Sequence, residues 1–126
     1  MGLKHDKYMN KYCFLSLDQR KEAKKLITDF KFFHDEATFR YQHDIGALIK
    51  ILDTKIRNTM LAYKVPGQLL NETWNGFIGW SFLYQPMLVM YLVEIGDMIK
   101  PHVIKFHKEL KTPPDKMTAR ITKTPK

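Results

Sequence analysis

Histidine is the residue type with the most chemistry to offer in this chain, which carries five of them. A neutral imidazole ligates transition metals, and its protonation falls in the physiological range. His34 opens a run with Asp35 and Glu36, but neighbouring residues on a helix point to different sides and do not converge on one ion. His102 and His107 are five positions apart, roughly 140° around a helical axis, and cannot share a metal either. The Glu-x-x-His pairs of di-iron bundles and the His-Glu-x-x-His motif do not occur. The histidines therefore read as solvated or capping residues, and no metal site is expected.

Nucleophilic chemistry has as little to work with. Ser16 reads as a helix cap, Ser81 lies inside an apolar run, and Cys13 has no flanking motif that would activate a thiolate. Neither a phosphate-binding P-loop nor a G-x-G-x-x-G turn is present. Asn71-Glu72-Thr73 matches a glycosylation sequon, taken here as chance. The expectation is a protein without catalytic residues or a cofactor, and not an enzyme.

Composition narrows the class. Hydrophobic residues make up 44% and aromatics 13% of 126 residues, which is enough for one domain with a modest core. Strand-like alternation is absent, so the expected class is all-α. A formal charge of +8, from 21 basic and 13 acidic residues, favours contact with phosphate on RNA or lipid. Cys13 is the single cysteine, which excludes an internal disulfide and fits a reducing compartment. Residues 1–15 lack the apolar core of a secretory signal and make a poor transit peptide. Gly2 lacks the Ser or Thr that a myristoylation motif wants at position 6.

Ser16-Leu17-Asp18-Gln19 is a capping box. It opens an amphipathic helix on Ala23, Leu26, Ile27, Phe30, Phe33 and Ala37. A second apolar series runs Ile45, Leu48, Ile49, Leu52, Ile56, Met60 and Tyr63. Two helices are preferred over one long one here, with Asp44 as the cap between them. Pro66-Gly67 ends the region, and a new helix starts near Asn71 or Thr73. Past it, Ile95, Met98, Ile99, Val103, Phe106 and Leu110 continue at helical spacing, with Pro101 a kink or a new start. The expected layout is an extension over 1–15, a helical domain over 16–111, and a basic Thr/Pro/Lys tail over 112–126, disordered until it meets a partner.

From Thr73 to Val93 the chain has 21 residues without a formal charge, about 31 Å as a helix and close to the thickness of a bilayer core. Apolar residues occupy every side of it, so one helix spanning a membrane is expected, despite Gln85-Pro86 at its centre. Trp74, Trp80 and Tyr91 fall towards its ends, where aromatic belts sit, and Gly76 and Gly79 would let another helix approach closely. With Tyr84 and Gln85 in the same helix, and Lys116, Arg120 and Lys123 in the tail, these are the expected interaction residues. Glu94 and Asp97 read as the point where the helix leaves lipid rather than as a proton path.

These expectations add up to a structural accessory subunit of a multi-subunit energy-transducing complex. Its partners would be other subunits and membrane lipid, and its place the mitochondrial inner membrane. The alternative is a soluble basic binding module, such as an RNA-binding protein of an organellar ribosome.

Overall fold

The computed structural model describes residues 10–110. Within them the chain forms four α-helices and no strand: α1 (Leu17–Arg40), α2 (Ile45–Ala62), α3 (Trp74–Tyr84) and α4 (Pro86–Leu110), with a 3-10 turn at Gly67–Asn71. The starts follow the local chemistry of the sequence. Ser16 Oγ accepts the Gln19 amide at 3.1 Å and the Gln19 side chain accepts the Ser16 amide at 2.8 Å, closing the capping box. Asp44 caps α2 through the Ala47 amide at 3.1 Å, and Thr73 caps α3 through the Gly76 amide at 3.1 Å. Each side chain satisfies an amide that the first helical turn leaves without a carbonyl. The break between α1 and α2 is thus real.

α2 ends before Pro66-Gly67, because Lys64 adopts a left-handed backbone (φ 68°) that closes the helix. Pro101, by contrast, neither ends nor restarts a helix; α4 runs through it.

The expected single helix over 73–93 does not form. Proline's ring disfavours α-helical backbone at the residue before it, and Gln85 sits at φ −140°, ψ 71°, ending α3. Pro86 then serves as the first residue of α4, where its missing N–H costs nothing. α3 is left with 11 residues, about 16 Å. Among the described residues no helix is long and apolar enough to cross a membrane.

The break also changes how the apolar run is covered. α4 packs against α1, α2 and α3, and Met87 to Leu92 are all buried. Around them lie Ala23, Ile27 and Phe30 of α1, and Leu48, Leu52, Ile56 and Met60 of α2. The chain therefore buries the second half of the run by itself. A continuous helix would have carried that half away from its own amphipathic partners.

Tyr91, expected at a membrane edge or an interface, is instead a core residue with 1% exposure. Its ring meets Phe30 edge-on, 6.4 Å between centroids at 89°. Polar ties hold the surface of the bundle together. Lys55 of α2 pairs with Asp29 of α1 at 2.9 Å, and the Tyr63 hydroxyl donates to Glu22 at 2.9 Å. The core also extends back to Tyr12 and Leu15.

Ser16→Ala is expected to lose about 1 kcal/mol in urea unfolding. The Tyr91 hydroxyl is buried and makes no hydrogen bond, since neighbouring Thr59 does not close one. Burial pushes its pKa up from 10.0 to about 12. Because the raised value belongs to the folded state, its contribution is intact below pH 10.0 and lost as pH rises towards about 12. Tyr91→Phe is expected to leave stability at neutral pH unchanged, or to raise it by up to about 1 kcal/mol. The same variant should flatten the loss of stability on the alkaline side in a pH series of urea melts.

Candidate interaction surface

α3 is apolar on all its sides and packs mainly on α4 and the adjoining 3-10 turn. Phe77 and Ser81 take the inner side and are buried. On the outer side Gly79, Phe82 and Leu83 fall at i, i+3 and i+4 and share one face. Phe82 is 56% and Leu83 72% exposed, and Tyr84 next to them is 66% exposed. A side chain at Gly79 would meet nothing within 4 Å. The outer face of α3 is therefore an open shelf beside two large apolar side chains.

A second segment extends this surface. Phe14, itself exposed, lies 5.4 Å from the Phe82 ring centroid. The turn that carries it is fixed to α4 by one carboxylate. Glu94 Oε2 accepts from the Tyr12 hydroxyl at 2.5 Å and pairs with Lys11 at 3.0 Å. Arg20 supports the turn from the other side, donating to the Leu15 carbonyl at 2.6 Å. Glu94 was expected to mark the exit of a helix from lipid; its observed work is to anchor residues 11 and 12.

The expected interaction residues divide. Trp80 and Tyr84 come together, with ring centroids 5.2 Å apart, and Gly79 lies on the same helix with its open side. Trp74 is half-buried against Gly96, where an added Cβ would come within 3.4 Å of the indole. Gly76 faces its own helix start, 3.0 Å from Glu72 Cβ by the same construction, so it gives a neighbouring helix no room. Gln85 is used inside the chain, donating to the Tyr63 carbonyl at 3.0 Å and tying the α3–α4 junction to the end of α2. Tyr91 is in the core. Lys116, Arg120 and Lys123 lie outside the described residues, as does the tail from 112.

Tertiary packing also joins two histidines that the sequence keeps 68 positions apart. His34 Nε2 of α1 lies 2.9 Å from His102 Nε2 of α4, and His34 Nδ1 is 3.0 Å from Asp35 Oδ1. His102 is pushed towards the neutral form by burial first, then by the neighbouring His34 and Lys105. Asp35 is held below the usual carboxylate range by its hydrogen bonds to His34 and Lys31. Two aromatics leave the apolar stripes altogether, Phe32 at 74% and Phe39 at 76% exposure on the outer side of α1.

Comparison with protein-family models, with curated proteins and with solved structures finds no match to this chain.

Glu94 gives the check on this geometry. Glu94→Gln removes the ion pair with Lys11 and weakens the Tyr12 contact, so the turn bearing Phe14 should open more often. Amide exchange at Leu15, which donates to the Tyr12 carbonyl at 3.0 Å, is expected to speed up while core amides of α4 keep their protection. Unchanged exchange at Leu15 would show that the carboxylate does not hold the turn.

Proposed function

We propose that this chain is a non-catalytic docking subunit, a small helical module held in a larger protein assembly by the outer face of α3 and Phe14. The observation that carries this reading is the uncovered side of α3. Large apolar residues scattered singly over a surface need no explanation, but a contiguous apolar area marks an interaction site. Here Phe82, Leu83 and Tyr84 are consecutive, and Phe14 and Trp80 are stacked onto them. Bulky aromatics around one small residue are also what a partner helix needs to anchor and approach.

The function expected from the sequence, a subunit of an energy-transducing membrane complex, narrows to this docking role, since the spanning helix on which its membrane part rested does not form. Of the His, Cys, Asp and Glu residues described, no three gather where they could hold a metal ion.

A second reading, single-stranded RNA binding, draws on α1. Lys24, Lys25, Thr28, Asp29 and Phe32 line a shallow open depression, and an exposed aromatic beside lysines is a surface on which bases can stack. Charge favours docking over this alternative. Residues 10–110 carry 14 Lys and Arg against 11 Asp and Glu, so most of the basic excess lies outside the helical body.

Affinity purification of the full chain from its native host, in mild detergent, separates these readings. Docking through α3 predicts a defined set of co-purifying proteins. The double variant Phe82→Ser with Leu83→Ser should lose that set while keeping its helical circular dichroism, and Phe32→Ser should retain it. Recovery as a free monomer under these conditions would defeat the docking reading. RNA recovered instead, and released by salt with a steep dependence on its concentration, would favour α1.

A further inference from the structure

An imidazole becomes a good metal ligand when one ring nitrogen is held as a donor and the other is left with its lone pair. His34 meets that condition. Asp35 Oδ1 stands 3.0 Å from its Nδ1, so that nitrogen carries the proton and Nε2 presents a lone pair to His102. The His34 side chain is 15% exposed, enclosed enough to fix the ring and open enough for exchange with solvent.

We propose that His34 and His102 form a two-imidazole site for a late divalent transition metal, Cu2+ foremost, bridging α1 and α4. Their Nε2 atoms are 2.9 Å apart. Two nitrogens each about 2.0–2.1 Å from one ion are separated by about 2.9 Å at a right angle and by about 3.3 Å at the tetrahedral angle. The 2.9 Å of the hydrogen-bonded pair matches the right-angled value. It suits the square-planar or tetragonal preference of Cu2+ and Ni2+ better than the tetrahedral preference of Zn2+. A modest turn of each ring replaces the shared proton by the ion, with the proton of His102 moving to its other nitrogen.

The surroundings also select by ligand type. Among the described residues no third His, Cys, Asp or Glu completes the set, so the remaining positions fall to water or to a small ligand arriving with the metal. Lys31 shares Asp35 at 3.0 Å, and the charge of Lys105 bears on His102. The site is therefore not strongly anionic, and with the Asp35 carboxylate taken up by His34 and Lys31 it suits Mg2+ or Ca2+ poorly, since these need several oxygen ligands. A metal that binds neutral nitrogen tightly is what remains, and Cu2+ stands at the head of that order.

Copper titration of the full chain at neutral pH, followed by calorimetry and electron paramagnetic resonance, tests this. One equivalent should bind with a tetragonal signal coupled to two nitrogens. His34→Gln or His102→Gln should weaken that equivalent at least tenfold, and His43→Gln or His107→Gln should leave it unchanged. Asp35→Asn keeps both ligands and their fold and should still weaken binding roughly tenfold, as loss of a carboxylate behind a ligating imidazole does. Should a histidine variant fail to fold, this positioning variant alone decides. Copper affinity within twofold of wild type in Asp35→Asn and in either folded histidine variant would overturn the site. A tenfold preference for Zn2+ over Ni2+ would overturn its right-angled geometry.

Discussion

Pro86 has no amide hydrogen, and its ring bars the residue before it from helical backbone. That local constraint decides the whole arrangement. With Gln85 extended, the chain turns between α3 and α4, and the Gln85 side chain fastens the turn to the carbonyl at the end of α2. α4 can then start inside the bundle, with six consecutive residues, Met87 to Leu92, buried at once. A helix apolar on every side is stable only where something covers every side, and here α1, α2 and α3 do so from three directions.

The same turn leaves α3 with an uncovered side. A helix of 11 residues that packs chiefly on α4 cannot hide a surface that is apolar all round. Phe14 covers part of Phe82, in a turn held by Glu94, which draws Tyr12 and Lys11 onto α4, by Arg20 and by the buried Tyr12 and Leu15 side chains. The outer surface of the protein is thus set in part by a carboxylate of the helix that also forms its centre. Charge on the helical body is nearly balanced and much of it is paired across or along helices, which leaves apolar contact as the main means of association.

Three departures from sequence expectation have one origin. The 73–93 run, the placing of Tyr91 and the reading of Glu94 each assumed a straight helix whose surroundings were lipid or a partner. Hydropathy counts residues along the chain and does not register that one proline redirects the axis. The histidines show the complementary gap. Sequence spacing tests pairs on one helix, and His34 and His102 sit on two helices that meet only after folding.

What the sequence determined by itself was local: the helical class, the capping box at Ser16, the cap at Asp44 that separates α1 from α2, a helix start near Asn71 or Thr73, and the inward stripes of α1 and α2. Each rests on interactions within four or so residues of the chain, which a reader of the sequence can count. Tertiary structure alone decided which side of α3 stays open, that Trp80 and Tyr84 rather than Tyr91 belong to the surface, that Phe14 joins them, and that two distant imidazoles touch. Those outcomes depend on the relative direction of helix axes, which is fixed by how the four helices jointly bury their apolar area and not by any one segment.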